Sequence, residues 1–181
     1  MQDISFTPHF ALSEFVASRT ARAHGINNTP PEEAVENLRA LCVHTLKPLR
    51  EALGLPIVIT SGYRYKELNH LLVNHSVKSQ HMNGQAADFY VAEPKEPKDS
   101  KHSKDSKDSD PAGPSRRELL IRAFRQIITD DAIAFDQLII YPSFIRVSYV
   151  RSGRKNRSKL TKAFANGSYA ALTRNQALAL E

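Results

Sequence analysis

Residues 93–114 read EPKEPKDSKHSKDSKDSDPAGP, with four of the chain's ten prolines, four serines, a near-repeat of Lys-Asp-Ser and one apolar residue, Ala112. A stretch of that composition buries too little surface to offset the entropy of ordering it, so it reads as a mobile insertion. The constraint falls on its flanks. The segment after the insert is too small and too dependent to fold alone, so both flanks must contribute to one core. With 181 residues, 41% of them hydrophobic, the chain is long enough for that core and too short for several modules. The expectation is one domain over 1–160, interrupted at 93–114 and followed by a basic C-terminal tail at 161–181. His102 lies inside the insert and is set aside as a ligand.

The net charge of +6 is not spread evenly. Residues 1–92 carry eight basic and eight acidic side chains, 93–114 five and six, 115–145 four and four, and 146–181 eight and one. The whole excess therefore lies in the last 36 residues. Arg151, Arg154, Lys155, Arg157, Lys159 and Lys162 crowd this stretch. One reading is a solvated, partly helical tail; the other is a patch over 151–162 that attracts an anionic polymer. Few aromatic residues interleave with the charge and no nucleic-acid-binding signature accompanies it, which argues against sequence-specific nucleic-acid recognition and leaves only non-specific binding through the tail.

Cys42 is the single cysteine, excluding an internal disulfide and a thiolate zinc cage, so any metal must be held by His and carboxylate. No apolar run approaches the roughly 20 residues that span a bilayer. Met1-Gln2-Asp3-Ile4-Ser5 lacks the basic and apolar regions of an export signal, so a chain made in the cytoplasm is expected.

The periodicities predict a helix from Leu12 to about His24. A second is predicted after Thr29-Pro30-Pro31-Glu32, a capping box with proline at the helix start. Its apolar positions Val35, Leu38, Leu41, Cys42, Leu46, Leu49 and Leu53 recur at helical spacing, with a kink at Pro48 and a stop at Gly54. Strands are expected at 56–60 and 86–91, a short helix at 65–73, and a helix capped by Ser115 and Glu118 that runs to about Ile128. Gln137–Tyr141 and Phe144–Val150 then form a hairpin about Pro142-Ser143. Helices first and strands later, without regular alternation, predict an α+β fold with a small, mainly antiparallel sheet flanked by helices.

The chemistry concentrates in Ser61-Gly62-Tyr63-Arg64, Asn69, and Ser79-Gln80-His81-Met82-Asn83-Gly84-Gln85-Ala86-Ala87-Asp88. His81 stands just before a glycine-permitted turn, and Asp88 lies on the strand that follows. A turn and strand of that length can bring an imidazole nitrogen and a carboxylate oxygen to one point, each about 2 Å from a zinc ion. By spacing alone, a hydrogen-bonded His–Asp pair in a turn is the more ordinary reading, since His-x6-Asp also occurs by chance.

Ser61-Gly62-Tyr63-Arg64 followed by Ser79-x-His81-x-x-Gly84-x-Ala86-x-Asp88 resembles the zinc D-Ala-D-Ala carboxypeptidase/endopeptidase family, which cuts peptidoglycan stem peptides and includes phage endolysins. Phe10–Phe15, Asn37–Leu41, Pro48–Arg50 and Phe135–Ile139 extend the similarity. The resemblance implies the hedgehog/DD-peptidase fold and a zinc held by two His and one Asp with water in the open position. It also implies action on stem peptides at the wall or in the periplasm. His81 and Asp88 match two metal ligands, and Arg64 matches the arginine that neutralises a substrate carboxylate or oxyanion. Ser79, Tyr63 and Asn69 stand as substrate-contacting or supporting residues. Asp136 is the nearest carboxylate to the position of a general base, with a hairpin or cap role as its alternative.

One position departs from the pattern. Where the resemblance implies a third ligand His, within Phe144-Ile145-Arg146-Val147-Ser148, the residue is Arg146. A guanidinium has no free lone pair and stays protonated, so it cannot ligate zinc. Three readings stay open: Arg146 pairs with Asp88 in a metal-free, catalytically silent site; zinc is recruited by another histidine, His70 or His75; or zinc binds weakly through His81 and Asp88 alone.

Overall fold

A computed structural model describes residues 3–72, 76–93 and 113–181. Most of the predicted insert and His102 fall outside the described residues, as does His75. The fold is α+β. Strands β1 (Ser5–Thr7) and β2 (Phe10–Ala11) form a small ribbon beside helices α1 (Leu12–Val16) and α2 (Arg19–Ala23). The single helix expected over 12–24 is thus two, because Ser18 turns outward to cap α2, accepting a hydrogen bond from Ala21 N at 3.1 Å.

Helix α3 (Glu32–Leu41) begins after Pro31, not under a Thr29 cap. Thr29 donates instead to Asn27 Oδ1, so the predicted capping box does not form. The kink expected at Pro48 appears one turn earlier, as a π-helical turn over Cys42–Leu46 that leads into α4 (Lys47–Leu53). Proline cannot donate to the carbonyl four residues back, and that orphan, His44 O, accepts from Ala134 N at 3.0 Å instead. Thr45 Oγ1 donates to Ala134 O, which ties the same loop to the helix with two bonds.

The sheet holds β3 (Ile57–Ser61), β4 (Ala86–Val91), β5 (Gln137–Ile140), β6 (Ile145–Ser148), β7 (Lys159–Ala163) and β8 (Tyr169–Leu172), in the order β3-β4-β6-β5-β7-β8. Every pairing is antiparallel except β5 with β7. Helix α5 (Lys66–Leu71) follows β3, and α6 (Arg116–Thr129) opens with the expected Ser115–Glu118 capping box. The core lies between the sheet and the helices, with Leu38, Leu46, Phe89, Phe124, Leu138 and Val147 fully buried. The basic tail expected over 161–181 is instead structured: β7 and β8 extend the sheet, and α7 (Arg174–Leu178) packs on α6.

Candidate functional site

The site lies across β4 and β6 at the end of β3. Along one row of the sheet Ser61 is paired with Asp88, Asp88 with Arg146, Arg146 with Ile139, and Ile139 with Thr161. Cross-strand partners share a sheet face, so Asp88 and Arg146 are neighbours by register. His81 arrives from the 3₁₀ turn Gln80–Asn83 that precedes β4.

That turn is docked on α3. Gly84 closes it with φ +67°, and a Cβ there would meet the backbone of Ala34 well inside van der Waals contact. Asn37 Nδ2 donates to Asn83 O at 2.9 Å beside it. Gly84→Ala is expected to cost at least about 2 kcal/mol, combining the left-handed penalty with a clash against helix backbone that cannot give way cheaply. A fall in denaturation midpoint with an unchanged m-value checks this.

His81 is 1% exposed, and its Nδ1 lies 2.6 Å from Gly62 O. Burial pushes the imidazole below its usual range, so it is neutral near pH 7 with its proton on Nδ1, donated to the Gly62 carbonyl. Nε2 then points toward Asp88, 3.3 Å from Oδ1. Arg64 Nη2 reaches both groups, donating to Asp88 Oδ2 at 2.9 Å and lying 3.4 Å from His81 Nε2. The arginine is itself held: Nε donates to Ser61 Oγ at 3.0 Å, and its backbone N donates to His81 O at 3.1 Å.

Arg146 completes the cluster. Nε donates to Asp88 Oδ1 at 2.7 Å and Nη2 to Oδ2 at 3.1 Å, a bidentate pair. Burial alone would raise the Asp88 pKa, but the bidentate Arg146 guanidinium more than reverses this and holds the carboxyl well below the usual range. Two guanidiniums therefore face one carboxylate and one neutral imidazole, leaving a net positive cleft.

A catalytic zinc needs three lone-pair donors around one point. Among the described residues no third His, Cys, Asp or Glu joins His81 and Asp88. His70 is exposed in the last turn of α5 and is not among the residues lining the cleft. The position opposite Asp88 carries hydrogen-bond donors where a ligand would need an acceptor. These residues do not fit a three-ligand zinc.

The remaining expected site residues are placed as follows. Ser79 lines the cleft at the start of the 3₁₀ turn, without a side-chain cap bond. Tyr63 is not at the cleft; it is buried in the hydrophobic core, since the chain on either side of it is turned by Tyr63 N donating to Phe15 O. Asn69 is fully buried and donates from Nδ2 to Ser76 O at 3.0 Å, so it ties α5 to Ser76 and does not line the cleft.

Asp136 is not placed as a base. It is fully buried, and its carboxylate accepts from Arg154 Nη1 and Nη2, from Arg157 N, Nε and Nη2, and from Gln80 Nε2. Burial works against its ionisation, yet the two arginines prevail and hold the carboxyl well below the usual range. A saturated carboxylate of lowered pKa is a poor proton acceptor, and its role is to fold the 150–158 loop. The same contacts account for two arginines of the expected anion-attracting patch, which are ion-paired to Asp136 while still partly exposed. Asn28 was missed by sequence reasoning. Its amide donates to Val16 O and Tyr63 O while its Oδ1 accepts from Tyr65 N at 2.8 Å, bracketing Arg64. An isolated Asn in a loop carries no signal for that role.

The sequence profile of the peptidase M15 family matches residues 8–118, more than half of the chain. The chain belongs to the peptidase M15 family. The matched segment contains Arg64, His81 and Asp88 and stops before Asp136 and Arg146. No curated protein matches the chain. Membership accords with the α+β fold and with metallopeptidase ancestry, and no helix among the described residues is long and apolar enough to cross a membrane.

Proposed function

We propose that this peptidase M15 member binds peptidoglycan stem peptides in a metal-free cleft, with the Arg146 guanidinium standing in for the family's cation. The observation that carries this reading is the bidentate Arg146–Asp88 pair. A zinc centre supplies positive charge to hold a substrate oxygen and to activate water. Arg146 and Arg64 retain the first property, because their combined charge exceeds that of Asp88 and a carboxylate or carbonyl oxygen is attracted to the cleft. They lack the second, since a hydrogen-bond donor cannot lower the pKa of a bound water as a Lewis acid does. The protein therefore recognises the peptide and leaves it intact.

Hydrolysis is the second reading. It is favoured by the orientation of His81, whose Nδ1 is anchored on Gly62 O so that Nε2 and Asp88 Oδ1 converge at 3.3 Å. Metal analysis of dialysed protein, together with titration by a synthetic stem pentapeptide and mass spectrometry of the mixture, separates the two. Binding of intact peptide without stoichiometric zinc is expected, with affinity about tenfold lower in Arg146→Ala. Retained zinc with release of D-Ala would establish the second reading instead.

A further inference from the structure

From Asp88 and Arg146 the sheet face continues as the floor of a cavity of about 700 Å³ that crosses β6, β5 and β7. Gln137 and Ile139 line it from β5, and Lys159 and Thr161 from β7; these residues alternate along their strands and so share the face of Arg146. Thr161 is 5% exposed, and its Oγ1 is buried with no hydrogen-bond partner. A buried hydroxyl without a partner is costly unless a ligand or water satisfies it.

Lys159 stands beside it. Gln137 is its register partner, and no carboxylate of the described residues lies within ion-pair distance of its ammonium. Its backbone is fixed, because Lys159 N donates to Asp136 O at 3.0 Å and the preceding Ser158 takes a left-handed φ of 51° at the end of the loop stapled to Asp136. Among the described residues Asp88 is the only carboxylate lining the cavity, and it is already paired with Arg64 and Arg146. Lys159 thus adds a cation to a cavity already in cationic excess.

We infer that Lys159, Thr161 and Gln137 form a second anion subsite, which takes an internal carboxylate of the same peptide whose other oxygens meet Arg64 and Arg146. Strand spacing separates the Cα atoms of Arg146 and Lys159 by about 12 Å, a span covered by three to four extended residues. Tyr141 and Phe144, stacked at 4.2 Å, form an apolar wall at the other end of the cavity, with Tyr169 edge-on to Tyr141. The ligand class is accordingly an extended peptide with two carboxylates about three residues apart. This deepens the proposed function and rests on its reading of the cleft as a peptide site.

The test is calorimetric titration with L-Ala-γ-D-Glu-L-Lys-D-Ala-D-Ala and with the same peptide amidated at the D-Glu carboxyl, using the parent, Lys159→Met and Thr161→Val. Thermal melts accompany each variant, and both substitutions keep side-chain length or shape so that the sheet is retained. The parent is expected to bind the free acid about tenfold more tightly than the amide. Lys159→Met and Thr161→Val are expected to lose affinity for the acid, with the Lys159 variant no longer distinguishing the two peptides. Equal binding of acid and amide by the parent, or equal losses on both in Lys159→Met, would overturn the subsite while leaving stem-peptide binding in place. Failure of the parent to bind either peptide would overturn both.

Discussion

Replacing Arg146 by histidine is expected to create a zinc site that the parent lacks. The substitution removes the bidentate donor to Asp88 and puts an imidazole at the register position opposite that carboxylate, which His81 Nε2 approaches to 3.3 Å. Three lone-pair donors would then converge, with the fourth position open. The expected result is one zinc per chain surviving dialysis in Arg146→His and none in the parent, measured by elemental analysis. Unfolding gives a second readout without any substrate. Zinc binds the folded state selectively, so chelator should lower the melting temperature of Arg146→His and leave that of the parent unchanged. Without metal, the variant should be less stable than the parent by about 1–2 kcal/mol, because Asp88 is buried and keeps Arg64 but loses its second cation. Equal zinc in parent and variant would show that Arg146 yields to the ion and would remove the basis for a metal-free cleft.

Asp136→Asn is expected to destabilise the fold by about 3 kcal/mol, although the residue lies outside the His81–Asp88 cluster. The amide places N–H donors against two guanidiniums and Gln80, so several charge-assisted bonds are lost at once. The figure stays below the sum of those bonds because Arg154 and Arg157 are 42% and 48% exposed and regain water. Hydrogen exchange should show β7 losing protection before β4, since Lys159 and the preceding loop are tied to Asp136. The pH dependence has a definite sign. The folded carboxyl lies below its unfolded range, so its contribution is complete above the unfolded value of about 3.9 and is lost as pH falls toward the folded one. The stability gap between parent and Asp136→Asn should therefore be full at pH 7 and shrink below about pH 4 in urea titrations.

Much of the architecture was legible because local patterns carried it. The capping box at Ser115 and Glu118, the strand at Ala86–Val91 and the hairpin about Pro142-Ser143 each form as their residues predict. Residues 161–172 do not form the expected basic tail, an expectation that rests on the crowd of lysines and arginines over 151–162. A signal was present nonetheless: Asn166-Gly167 sits between two runs that become β7 and β8, and Gly167 takes φ 84°. The parallel pairing of β7 with β5 had no local signal, since the partner strand lies some twenty residues earlier and beyond β6.

The same division runs through the site. By itself, the sequence determined that His81 and Asp88 flank a glycine turn, that a residue unable to ligate metal stands at 146, and that the charge excess follows it. Only the tertiary structure decided where those charges go. Register set Arg146 against Asp88, and ion pairing drew the exposed Arg154 and Arg157 onto the buried Asp136, which changed it from a candidate base into the anchor of a loop. The physical reason is that a charge's role depends on its distance to a partner and on its access to water. Those quantities are fixed by pairing between strands distant in sequence, which residue spacing along the chain does not encode.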